Sequence, residues 1–205
     1  MITRTPVVIY AENTPNPSAL KLVANKMLVP VGASVEYETA ASAKSSALAT
    51  DLFLFPFVTK VFIAGNYVTI TKNDTVAWEE VTHHLREFLK LFIDEGKPAV
   101  TELPQQEVAV DNEFAKKQTV YTQHQAPENE TEVKIVEVLE QYIRPAVEQD
   151  GGLIVFKSYK DGVVTVQMKG SCAGCPSSTM TLKAGIEALL KRMVPGVVEV
   201  RSEAA

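Results

Sequence analysis

Both cysteines of this 205-residue chain fall within four positions, in Cys172-Ala173-Gly174-Cys175. The pair constrains the fold more than any other feature because of what flanks it. Upstream, Leu153 to Tyr159 and Val163 to Lys169 read as strands joined by Asp161-Gly162, a dipeptide suited to the positive φ of a tight hairpin turn. Downstream, Leu182, Ile186, Leu189, Leu190 and Met193 recur at helical spacing until Pro195-Gly196 ends the run. The pair is therefore predicted in a loop between a returning strand and a helix N-terminus. Pro176 suits the first helical turn, and Ser177 or Ser178 are cap candidates. A helix from about Glu132 carries the stripe Ile135, Val136, Leu139, Tyr142 and Ile143, and Pro145 must kink or restart it. With a turn at Asp150-Gly151-Gly152 and a last strand at Val197 to Val200, the region is predicted as α-β-β-α-β, with the CxxC loop before its second helix.

Charge divides the rest of the chain. Residues 1–100 hold 9 basic and 10 acidic side chains, 101–131 hold 2 and 6, and 132–205 hold 9 and 9, so the middle segment carries most of the net −5. That segment also has no glycine and no sustained apolar period, and is predicted as an acidic linker containing His124. A flexible coil of its 31 residues would span roughly 30 Å. Residues 1–100 are predicted as a separate domain, which makes the chain α+β with two small α/β-type domains. Strands are expected at Val7 to Tyr10 and around Leu20 to Val29, with a short helix at Ser45 to Phe53. Lys60 to Ala64 and Tyr67 to Thr71 form a hairpin around Gly65-Asn66. A helix follows with the stripe Trp78, Val81, Leu85, Phe88, Leu89 and Phe92, capped from Asn73-Asp74-Thr75 and ended by Gly96 and Pro98.

A loop at a helix N-terminus favours thiolates, because unpaired N–H groups and the helix dipole stabilise the negative sulfur. No charged side chain intervenes between Lys169 and Lys183, and Gly174 allows a tight turn, a setting suited to a soft metal. Tetrahedral Fe–S or Zn sites take four ligands, and one chain offers only Cys172 and Cys175. His83 and His84 are adjacent on one helix and do not share a face. Two copies related by a two-fold axis supply four thiolates and form the simplest complete site.

The composition narrows the remaining classes. The longest apolar run, Leu52 to Val58, is far short of the ~20 residues of a membrane span. No secretory h-region follows the N-terminus, so a cytoplasmic protein is expected. An acidic balance without a Lys/Arg cluster argues against nucleic acid. No phosphate loop, nucleophile elbow or zinc-protease motif is present, which argues against an enzyme.

Ile143-Arg144-Pro145, Asp150-Gly151-Gly152, the run Gly170-Ser171-Cys172-Ala173-Gly174-Cys175-Pro176-Ser177-Ser178, Thr181-Leu182 and Gly185-Ile186-Glu187 together resemble a known pattern. It is that of the C-terminal domain of the NifU and Nfu family of iron–sulfur cluster scaffold and carrier proteins, matched over residues 132–201. Residues 5–95 resemble that family's N-terminal domain through Thr14-Pro15-Asn16-Pro17-Ser18-Ala19-Leu20-Lys21 and the stretch Val61 to Thr71 followed by Trp78. The resemblance implies a [4Fe–4S] cluster, with [2Fe–2S] as the other nuclearity, held by Cys172 and Cys175 of two protomers. It further implies a cluster-bridged homodimer, an upstream assembly scaffold as cluster source and apo iron–sulfur proteins as recipients. The further cysteine-bearing scaffold domain and ferredoxin-like segment of full-length NifU proteins are not in this sequence, which favours carriage over de novo assembly.

Two other readings fit a CxxC before a helix. A thiol–disulfide oxidoreductase is disfavoured by the entering hairpin, the Ala-Gly dipeptide and the short downstream sequence. A structural Cys₄ zinc dimer uses the same four thiolates.

Overall fold

The hairpin at Gly65-Asn66 forms the centre of the first of two units. In the computed structural model, which describes residues 5–103, 107–108, 120–121, 123–173 and 176–203, the chain divides into Met1–Gln105 and Gln106–Ala205. Strand β4 (Val58–Ala64) turns through Gly65, at φ 48°, into β5 (Tyr67–Lys72). Around this pair, β1 (Ile9–Asn13), β2 (Ala19–Ala24) and β3 (Ser34–Tyr37) complete an antiparallel sheet of order β1-β2-β5-β4-β3. Leu22, Val61, Ile63, Val68 and Ile70 supply its buried side chains. Helix α1 (Ala47–Leu52) adds Leu48 and Leu52, and α2 (Trp78–Asp94) adds Val81, Leu85, Leu89 and Phe92 of the stripe read from the sequence, with Trp78 and Phe88 half-buried.

Three local differences have simple causes. Strand β3 has only four residues and buries just Ser34 and Tyr37, too little to show as alternation. Helix α2 starts after Ala77 without a side-chain cap, because the Asn73 side chain instead accepts the Thr75 N–H at 3.1 Å in a local turn. Ser46 caps α1 by accepting the Ala49 N–H, and a 3₁₀ turn at Ala40–Ser45 precedes it. After α2 the chain returns to this point. Ser46 donates its hydroxyl to the Ala99 carbonyl, and the Thr101 N–H donates to the Ser45 carbonyl at 2.8 Å.

The second unit holds a two-residue antiparallel pair, β6 (Glu107–Val108) and β7 (Val120–Tyr121), and then follows the expected order. Helix α3 (Glu130–Val138) runs into a π turn at Leu139–Ile143 and then α4 (Arg144–Gln149). Pro145 offers no N–H to the preceding turn, and the wider turn absorbs that loss. Strands β8 (Gly152–Lys160) and β9 (Val163–Gly170) pair antiparallel around Asp161 (φ 50°) and Gly162 (φ 81°). Helix α5 (Pro176–Met193) then crosses to β10 (Glu199–Glu203), which lies parallel to β9, giving the order β10-β9-β8. Ile135, Leu139, Ile154, Phe156, Val164, Val166, Ile186, Leu190 and Val200 form its core. The last strand starts two residues later than expected because Val197 turns into that core. At the edge of the sheet, the Val200 N–H donates to the Glu187 carboxylate at 3.0 Å.

His124 is not in an open linker. It is 5% exposed and packs beside β8, where the Phe156 N–H donates to its Nδ1 at 2.7 Å. That bond fixes the tautomer, so Nε2 carries the proton and donates to Glu140 at 2.6 Å. Glu140 also accepts from Arg144, which reaches Glu148 with its Nε. Burial opposes ionisation of Glu140, but the bonds from His124 and Arg144 overcome it and hold the carboxyl below its usual range. The Gln125 N–H donates to the Phe156 carbonyl at 2.9 Å, and Asn129 caps α3 by accepting the Glu132 N–H at 3.0 Å.

No helix among the described residues is long and apolar enough to cross a membrane. Gly185 lies exposed within α5, and a Cβ added there meets nothing within 4 Å. Gly185→Ala is therefore expected to raise the stability of the chain by about 0.5–1 kcal/mol, read as a shift in urea midpoint.

Candidate functional site

The end of β9 folds back over the turn that opens β8, and two glycines make this possible. Gly151 and Gly170 take φ of 80° and 68°, conformations that side chains disfavour. The Ser171 N–H then donates to the Gly151 carbonyl at 3.2 Å, its hydroxyl donates to the Asp150 carbonyl, and the Ala173 N–H closes onto Gly170 at 3.1 Å. Asp150-Gly151-Gly152 and Gly170-Ser171-Cys172, far apart in sequence, thus form one knot of backbone.

Cys172 sits in this knot rather than on an open loop. It is 6% exposed and belongs to the core of the second unit, with its sulfur 3.8 Å from the Ser171 hydroxyl. Burial pushes its thiol above the ordinary value. The Ser171 hydroxyl pulls it back only in part, and the Asp150 charge adds to the rise. The expectation of a stabilised thiolate is therefore corrected for Cys172. It precedes the start of α5 by four positions and packs inward, so desolvation outweighs the helix dipole.

Pro176 opens α5 as expected, whereas Ser177 and Ser178 fall inside the helix rather than ahead of it. Gly174 and Cys175 lie outside the described residues, as do the side chains of residues 176–179. Among the described residues, no three His, Cys, Asp or Glu side chains converge on a metal position. His83 and His84 are exposed on α2 with ring centres 6.1 Å apart, and His124 is engaged with Phe156 and Glu140. A Cβ added at Gly152 would lie 2.7 Å from the Cys172 sulfur, and neither this contact nor the His124–Glu140–Arg144 chain is marked by a local sequence pattern. The only trace of the second is the Ile143-Arg144-Pro145 run.

Residues 135–201 match the NifU-like domain family, and residues 9–96 match the family described as scaffold protein Nfu/NifU N-terminal. NifU-like protein 4, mitochondrial, of Arabidopsis thaliana is 34% identical over 98% of this chain and 67% of its own length. The Homo sapiens NFU1 iron-sulfur cluster scaffold homolog, mitochondrial, is 33% identical over 92% of this chain and 69% of its own. The chain belongs to the NifU/Nfu family, and it spans about two thirds of the length of these relatives. A solution structure of a NifU-like protein from Saccharomyces cerevisiae, 22% identical, overlaps 50% of this chain and 91% of that one at a TM-score of 0.44.

The mitochondrial names overturn the expected cytoplasmic placement and point to the mitochondrion. Neither the short apolar runs nor the missing secretory h-region separates the cytosol from the interior of an organelle.

Proposed function

We propose that this protein carries iron–sulfur clusters and is not an enzyme. Two protomers each contribute Cys172 and Cys175 to a [4Fe–4S] cluster, received from an upstream assembly scaffold and passed on to apo iron–sulfur proteins. The observation that carries this reading is the placement of Cys172. A soft ligand sits in the core of a packed small domain, on a backbone knot ahead of a helix, within a chain whose relatives are named as cluster scaffolds. A cluster whose ligands come from two chains leaves when the chains part, which suits cargo better than a resident cofactor. Residues 1–100, which contain no cysteine, are assigned the recognition of partners.

Ligands shared between chains turn metal-binding free energy into association free energy. The metal-free protein is therefore expected to sediment as a monomer. The protein reconstituted anaerobically with iron and sulfide should sediment as a dimer with about four iron atoms. Mössbauer spectra then separate [4Fe–4S] from [2Fe–2S]. Equal dimerisation with and without the cluster would remove the bridging role. A colourless dimer holding zinc alone, or disulfide turnover without iron uptake, would each replace the carrier reading with its rival.

A further inference from the structure

Gly152 is not a glycine of the usual kind. Gly151 and Gly170 need positive φ, but Gly152 does not, so backbone freedom does not explain it. It is the first residue of β8 and pairs directly with Gly170. The explanation is space. A Cβ added at Gly152 would lie 2.7 Å from the Cys172 sulfur, 2.7 Å from the Lys169 carbonyl oxygen and 3.2 Å from the Cys172 Cβ. The thiol occupies the volume that a side chain at position 152 would fill. Its neighbour Ser171 is tied by both N–H and hydroxyl to the same turn, so the backbone on either side of the contact is fixed.

We propose that Gly152 is the positioning residue for Cys172: the bare backbone is a seat that holds the sulfur in one placement before metal arrives and shields it from reagents in solution. Its value to cluster binding rests on the carrier reading, whereas the seat itself does not. A ligand already held in place loses less freedom when it binds, so the seat favours retention of the cluster. It also explains why two motifs some twenty residues apart, Asp150-Gly151-Gly152 and the cysteine loop, occur together: one is the floor on which the other rests.

The test begins in a Cys175→Ser background, where Cys172 is the only thiol of the chain. Iodoacetamide labelling followed by intact mass should proceed about tenfold faster once Gly152→Ala lifts the sulfur off its seat, at unchanged far-ultraviolet circular dichroism. With both cysteines present, Gly152→Ala should lose iron from the reconstituted dimer to a chelator about tenfold faster. Labelling at the parent rate in the folded variant overturns the seat. Faster labelling with unchanged iron loss overturns the positioning role. A parent protein that takes up no cluster removes the carrier reading instead, and labelling still judges the seat. Should Gly152→Ala not fold, the Cys175→Ser chain alone decides, because its seated thiol must label at least about tenfold more slowly in buffer than in urea. Equal rates there overturn the proposal.

Discussion

On the carrier reading, Cys172→Ser is expected to leave the chain folded and unable to keep a cluster. Four thiolates hold such a core, and each protomer has only two to give, so losing one per chain removes half of the set. Serine is close in size to cysteine, and its hydroxyl at position 172 lies beside the Ser171 hydroxyl, which offers it a hydrogen-bond partner. The cost of placing that polar group in a 6% exposed site is therefore about 1–3 kcal/mol, within the 5–15 kcal/mol of an ordinary domain. Iron retained after reconstitution and desalting is expected to fall from about four atoms per dimer to background. Thermal unfolding of the second unit should fall by about 4–24 °C and stay cooperative. Cys175→Ser should lose iron equally. Full iron content in either variant would reassign the ligands.

The second large effect concerns where the second unit begins. A fragment of residues 123–205 is expected to be more stable than one of 132–205 by about 4 kcal/mol, measured by urea unfolding. The shorter fragment loses both bonds that Phe156 makes to His124 and Gln125, and with them the cover on the free edge of β8. It also loses the Asn129 cap of α3 and the bond from the Glu128 N–H to Glu132. Each such bond contributes on the order of 1 kcal/mol.

Acid provides a second readout of the same residues. The folded Glu140 carboxyl lies below its unfolded value of 4.5, so its contribution is present above that pH and is lost as pH falls through the folded value. Because His124 is one of the two groups that depress it, the longer fragment should show the larger acid-side loss. Equal urea midpoints for the two fragments would mean that residues 123–131 only accompany the unit.

What the sequence made legible follows from how local each cause is. The Asp161-Gly162 turn, the α2 stripe and the helix after the cysteines depend on near neighbours, and they appear where periodicity and turn chemistry place them. The environment of Cys172 does not. Its raised thiol depends first on burial in the core and then on Asp150, some twenty residues away, and proximity to a helix N-terminus pointed the wrong way. His124 was misread for the same reason. Its partners, Glu140 and Phe156, are 16 and 32 residues distant, and its acidic, proline-flanked surroundings imitate a linker. Arg144 was visible as part of a motif, but its role between two carboxylates emerges only once the π turn sets the helix phase.

The Val200 N–H faces away from β9 and is taken by Glu187, while on the opposite margin Phe156 is taken by His124 and Gln125. A three-stranded sheet left open on both sides would recruit further copies through its backbone, in a ladder that does not close and does not easily reverse. With those donors and acceptors spoken for, copies of this unit are discouraged from stacking into fibres. Encounters at those positions are left to side chains, which can let go.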